Sequence, residues 1–272
     1  MTVAEVAALP QRPADARLAY GDHPLQFADL RLPQGEGPHP VAAVIHGGCW
    51  IERFAQLTVM SPLATALAEA GVATWNLEYR RLDSAGGAWP ASFVDIAKGI
   101  DHLRALAADY PLDLERVVVV GHSAGGHLAL WAAARPRLPK ESALYVADPL
   151  PLAGVVSLAG PGDLRAFDDD KMRACGTDIV PALLGGATTG QRLRQASPAE
   201  LLPLGVKQIL LTGADDRIVP ARFASAYAER ARAAGDKVEV GEIENAGHFE
   251  LIAPGSIAWP RVEAAILSLL NE

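Results

Sequence analysis

The sequence predicts an α/β fold, a mostly parallel, doubly wound sheet, and three observations predict it. Short apolar runs and alanine-rich segments of helical spacing alternate along the chain, which is the order of parallel strands joined by crossover helices. The run "RVVVV" at 116–120 has no polar alternation, as expected of a central strand buried on both faces. Half of the 272 residues are hydrophobic and 21% are charged, which suits one large domain over residues 1–272 with a substantial core.

The elements follow in order. "LQFADLRLP" (25–33) alternates and reads as an outer antiparallel strand. Further strands are predicted at 41–46, 72–77, 116–122, 152–160, 208–213 and 237–243. Between them, "PLATALAEAG" has Ser61 and Pro62 at its start and stops at Gly71. Residues 90–110 place Phe93, Ile96, Ile100, Leu103 and Leu106 on one helical face. "GGHLALWAAAR", "PARFASAYAERARAAG" and the closing "PRVEAAILSLLNE" complete the set. One region breaks the rhythm. Residues 161–198 are long for a connection between strands and are expected to form an inserted cap or binding loop. Its acidic run, Asp168 to Asp170, reads as a solvated face and not a metal site.

Composition excludes several classes. The net charge of −8 with no basic cluster argues against a nucleic-acid partner. No apolar stretch approaches a membrane span, and the first twenty residues lack the run of a signal peptide. Cys49 and Cys175 are too few for a disulfide framework and have no CxxC spacing. One bridge is possible, but free thiols in a reducing compartment is the simpler expectation, so the chain reads as soluble and cytoplasmic.

"GHSAGG" (121–126) follows the valine strand and precedes a helix. In an open parallel sheet, ligands lie off the carboxyl ends of the strands. The pattern G-x-S-x-G there makes a tight turn in which Cβ atoms on either side would clash, and it lifts the Ser123 hydroxyl toward a helix N-terminus. "IHGGCW" (45–50) also ends a strand. Its glycines let backbone N–H groups face a cavity, as acyl transfer needs for its oxyanion, with the amide of Ala124 as the other donor.

A serine nucleophile needs a base. Of seven histidines, His46 and His122 belong to the two turns and are expected to brace them, while His102 and His127 lie in predicted helices. His248, in "ENAGHFEL" after the last strand, is the best-placed base. "LLTGADDRIVP" offers two acids, Asp215 and Asp216.

With "HGGCW", "GHSAGGHLA", "GADDRIVP" and "NAGHFEL" in this order over nearly the whole chain, the sequence resembles the α/β-hydrolase superfamily. Within it the chain is most similar to the carboxylesterase, feruloyl-esterase-like and kynurenine-formamidase-like group. The resemblance implies the α/β-hydrolase fold and a cofactor-free, metal-free serine hydrolase acting on small-molecule esters or activated amides. It selects Asp216 over Asp215, because the superfamily's acid opens a D-x-x-V-P pattern and Asp216 precedes Arg217, Ile218, Val219 and Pro220. Ser123, Asp216 and His248 are then the catalytic residues, and Gly48, Cys49 and Ala124 the oxyanion donors. Gly47, Trp50, Leu164 and Phe167 are expected to meet substrate, with Leu183 and Leu184 also covering the pocket. An aryl formamidase, a peptidase and a non-catalytic binding protein of the same fold are the alternatives.

Overall fold

A computed structural model describes residues 1–87, 89–170, 174–186 and 190–271. Eight strands form one sheet: β1 (Ala16–Ala19), β2 (Phe27–Arg31), β3 (His39–Ile45), β4 (Ala73–Leu77), β5 (Leu112–His122), β6 (Gly154–Leu158), β7 (Lys207–Gly213) and β8 (Val238–Ile243). Their spatial order is β1-β2-β4-β3-β5-β6-β7-β8. β1 and β2 are antiparallel to their neighbours, and all pairings from β4 to β8 are parallel. The alternating segment at 25–33 therefore forms β2, one place in from the edge. The edge strand is β1, whose four residues are too short to show a period.

The helices are α1 (Val3–Ala7), α2 (Ser61–Glu69), α3 (Ala91–Asp101), α4 (Leu103–Leu106), α5 (Ala124–Ala134), α6 (Leu164–Asp168), α7 (Ile179–Leu183), α8 (Gln191–Ala196), α9 (Arg222–Ala233) and α10 (Trp259–Leu270). The valine run explains the layering. Val117 and Val119 point into a core shared with Phe93, Ile96, Leu128, Trp131 and Tyr227 of α3, α5 and α9. Val118 and Val120 point into a second core with Leu63, Leu67, Val262 and Ile266 of α2 and α10. Side chains of a strand alternate between faces, so a strand covered on both needs apolar residues at every position. The same demand acts on α5, whose eleven residues are all buried. Among the described residues, no helix is long and apolar enough to cross a membrane.

The sheet's carboxyl edge gathers the loops that carry the candidate site residues. β3 delivers residues 46–50, its neighbour β5 delivers Ser123, and β7 and β8 deliver the loops at 214–220 and 244–249.

Candidate active site

Ser123 stands between β5 and α5 with φ 56° and ψ −120°. A non-glycine residue held there carries backbone strain on the order of 1–3 kcal/mol. The neighbours force this geometry. A Cβ on Gly121 would lie 2.0 Å from the Gly125 carbonyl oxygen, and one on Gly125 would lie 2.2 Å from that of Ile45. The strand, the turn and the helix thus touch backbone to backbone, and only glycine fits at those two places. The Ser123 amide donates to the Leu158 carbonyl at 2.8 Å, which pins the turn to β6. The Ala124 amide opens α5, where an N–H has no partner within the helix.

The 46–50 turn packs against this serine. Gly47 approaches so closely that a Cβ would meet the His122 carbonyl at 2.8 Å and the Ser123 Cβ at 3.0 Å. Gly48, Cys49 and Trp50 follow with φ of 103°, 52° and 56°. A buried cluster fixes the chain as it enters the turn. His46 Nδ1 donates to the Gly47 carbonyl at 2.8 Å, and Nε2 lies 3.0 Å from Glu78 Oε1. The Glu78 carboxylate also takes an ion pair from Arg81 and a hydrogen bond from the Leu57 amide. Burial works against its charge, but His46, Arg81 and that amide outweigh burial and hold its pKa down at about 2. Tyr79 closes the cluster, stacking on His46 and donating its hydroxyl to the His46 carbonyl at 2.9 Å.

The two aspartates part company. His248 Nδ1 lies 2.6 Å from Asp216 Oδ2, and Asp216 Oδ1 accepts from the amides of Ile218 and Val219 at 2.8 and 2.9 Å. Both members of the pair are buried. Asp215 turns its side chain to solvent and donates only its amide, to the Ala246 carbonyl. His122 braces the other side of His248: its Nε2 donates to the His248 carbonyl at 3.0 Å, and the two rings lie 4.5 Å apart.

Burial pushes the pKa of His122 well below the ordinary histidine value, and the neighbouring His248 pushes it the same way. Burial likewise lowers His127 to about 4. Such a ring takes up a proton in the unfolded chain and not in the folded one. Its contribution to stability is therefore complete above about pH 6.5 and is lost as pH falls toward 4. For His127 the loss amounts to about 3 kcal/mol. The urea midpoint should fall over this range in the wild type, and less in His127→Asn; equal slopes in the two proteins would refute the assignment.

Ser123, His122, His248, Gly47, Gly48 and Cys49 line one cavity of about 230 Å³. Its remaining wall is Val3, Phe54, Ala55, Val59, Ala174, Ile218 and Phe249, almost wholly apolar. A cavity of 150 Å³ in an apolar interior holds a benzene ring, so this one has room for an aryl group or a short acyl chain.

Two expectations from the sequence are corrected. The first is the state of the cysteines: Cys49 and Cys175 form a disulfide, 126 residues apart in sequence. A pairing between distant loops leaves no spacing pattern to read. The second concerns the cap. Leu164, Leu183 and Leu184 do not line the cavity but are buried in the α3–α5 core, and Trp50 is buried edge-on against His127 and Phe167. Phe167 lines a neighbouring cavity of about 310 Å³ with Asp168, Asp169, Asp170, Cys175 and Asp178. The cause is that α5 draws the 161–198 segment down: His127 Nε2 donates to the Ala196 carbonyl at 2.9 Å, and Trp131 Nε1 to that of Gln195 at 2.8 Å. Among the described residues of that segment only Ala174 reaches the Ser123 cavity; residues 171–173 and 187–189 lie outside the described residues. Sequence reasoning missed Ile218 and Phe249, although each lies within two residues of Asp216 or His248. Val3 gave no signal at all.

A family model described as BD-FAE matches residues 28–230, most of the chain. The chain belongs to the BD-FAE family. Among curated proteins, this BD-FAE chain is similar to Esterase LipC of Mycobacterium tuberculosis, 27% identical over 262 residues that cover 93% of this chain and 64% of LipC. It is also similar to the probable isoprenylcysteine alpha-carbonyl methylesterase ICMEL1 of Arabidopsis thaliana, 27% identical over 256 residues, covering 86% of this chain and 50% of that protein. The BD-FAE chain thus spans half to two thirds of the length of these relatives. Among solved structures it resembles a truncated carbohydrate esterase from gut microbiota, with a TM-score of 0.79, 19% identity and coverage of 96% and 99%. It resembles Thermogutta terrifontis esterase 2 phosphonylated by sarin to a similar degree, with a TM-score of 0.78, 19% identity and coverage of 96% and 95%. These likenesses establish the α/β-hydrolase fold for this BD-FAE protein.

Proposed function

We propose that the protein is a serine hydrolase that cleaves carboxylic esters of small or aryl substrates through an acyl-enzyme. The observation that carries this reading is the convergence of Ser123 and the Asp216-bound His248 on one apolar cavity, which Gly47, Gly48 and Cys49 also line. The esterase names of the relatives agree with it.

The chemistry follows from the geometry. With Asp216 accepting the Nδ1 proton of His248, Nε2 has its lone pair free to take the Ser123 proton as Oγ attacks the ester carbonyl. Negative charge develops on the carbonyl oxygen. The amides of Ala124, Cys49 and Gly48 meet it, already oriented and within a low-dielectric pocket where such contacts are strong. The imidazolium returns the proton to the leaving alcohol, with the Asp216 charge stabilising it meanwhile. Water then attacks the acyl-Ser123 ester by the same route, with His248 as base, and releases the acid. Because the amides hold their positions before substrate arrives, the turn's rigidity is itself part of catalysis. No step calls for a metal or an organic cofactor.

A panel of p-nitrophenyl esters from acetate to decanoate, run beside a fluorophosphonate probe, tests the reading. Covalent labelling at Ser123 is expected, with kcat/KM highest for acyl chains that fit a cavity of about 230 Å³ and a steep fall beyond. Absence of labelling in the folded protein would refute it. Phe54 and Phe249 in the cavity wall favour a second reading, an aryl formamidase. N-formylkynurenine in the same panel separates the two: the formamidase reading requires its kcat/KM to exceed that of every ester.

A further inference from the structure

Cys49 sits in the middle of the turn that packs against Ser123 and lines the same cavity, and it is the first of two consecutive non-glycine residues with φ near 55°. L-residues stay in that region only where the surroundings over-determine them. Hydrogen bonds hold the chain on both sides. His46, Glu78 and Tyr79 fix its entry, and bonds from Ile51 N to Gly48 O and from Leu82 N to Trp50 O fix its exit. The Cys49 side chain adds a restraint of another kind, a covalent bond to Cys175 in the segment between α6 and α7. That bond also forms part of the partition between two cavities. Cys49 lines the catalytic one, Cys175 lines the acidic one, and Ala174 and Ile218 belong to both.

We infer that Cys175 is a positioning residue: through the disulfide it holds the Cys49 amide where the oxyanion forms, so that opening the bond lowers turnover while the fold stands. This rests on the serine-hydrolase reading above. The opening step is a thiol–disulfide exchange with a small dithiol. Its thiolate attacks one sulfur of the pair and forms a mixed disulfide, expelling the other sulfur as a thiolate that takes up a proton. The reagent's second thiol then displaces the remaining protein sulfur. Two protein thiols result, and the reagent leaves as its own cyclic disulfide. The reagent meets the bond from the side of Cys49, which is half-buried and lines the Ser123 cavity, while Cys175 is buried and borders the second cavity. In a reducing compartment the protein would thus run in its slow form, and in an oxidising one in its fast form.

The test compares oxidised wild type, wild type reduced by dithiothreitol with two thiols titrated, and Cys175→Ser. Each is assayed on p-nitrophenyl acetate and against a trifluoromethyl ketone, which forms an oxyanion adduct with the serine, while circular dichroism follows the fold. Losing an oxyanion donor outright costs roughly 10²–10³ in kcat. A donor released but not removed should cost roughly ten- to a hundred-fold, with weaker ketone binding by a similar factor and little change in KM. Cys175→Ser should match the reduced protein and ignore dithiothreitol. Unchanged kcat and ketone affinity in the reduced, folded protein would overturn the inference. So would activity lost only together with the dichroism signal, which would make the bond merely structural. If Cys175→Ser fails to fold, the chemically reduced wild type decides between these outcomes by itself. An oxidised protein that hydrolyses no ester and takes no fluorophosphonate marks instead the failure of the underlying functional reading.

Discussion

Ser123→Ala should leave the sheet intact and lower kcat by roughly 10⁴ or more on any ester the wild type accepts. Ser123 is buried at a turn whose shape comes from Gly121, Gly125 and the bond from its own amide to Leu158. None of these uses the hydroxyl. Alanine is also smaller than serine, so nothing around the turn must move. The residual rate belongs to the amides and the cavity, which remain. Purified variant and wild type should give superimposable circular dichroism spectra. Activity above about one per cent of wild type in the variant would remove Ser123 from the mechanism, and with it the acyl-enzyme.

The second large effect separates neighbours in the chain. Asp216→Asn should lower kcat by as much as ~10⁴, because an amide nitrogen facing His248 Nδ1 donates where the carboxylate accepted, and so holds the imidazole in the wrong tautomer. The fold should survive, since the asparagine Oδ1 can still accept from the amides of Ile218 and Val219, as Asp216 does at 2.8 and 2.9 Å. Asp215→Asn alters only an exposed carboxylate, while the bond that matters there, from its amide to Ala246, is backbone. It should change kcat less than about twofold, within the range of a surface substitution. Both variants measured on one activated ester decide the point, and a severe Asp215→Asn with a mild Asp216→Asn would reverse the assignment.

Strands made of contiguous β-branched residues were readable because burial on both faces removes every polar position. The valines of β5 are the clearest instance, sending alternate side chains into opposite cores. The two glycine turns were readable for a related reason: a would-be Cβ meets backbone at 2.0 and 2.2 Å at Gly121 and Gly125 and at 2.8 Å at Gly47, and Gly48 holds φ of 103°. Choosing between Asp215 and Asp216 needed the D-x-x-V-P pattern, as two adjacent carboxylates in a loop look alike until the loop is closed. What stayed hidden has one cause. The Cys49–Cys175 bond, the contact of Val3 with the cavity and the burial of Leu164, Leu183 and Leu184 all depend on how distant segments meet. An apolar residue in a long insertion is equally suited to cover a pocket or to fill a core. Here the hydrogen bonds from His127 and Trp131 to the backbone of α8 decide for the core, and no local pattern announces them.

The sheet's polarity divides the molecule into a rim that works and a rim that does not. Every group assigned to the chemistry leaves a strand at its carboxyl end. The returns at the opposite end, such as those at Gly71 before β4 and Gly235 before β8, are exposed and have open space where a side chain would stand. Their backbones serve only to end a helix, with N–H bonds to Ala68 and Arg232. A surface tether, an affinity peptide or a fused reporter grafted at those two turns meets no group that the reaction uses and faces away from arriving substrate. Immobilised by that rim, the protein would present its cavity outward, an orientation set by the direction of its parallel strands.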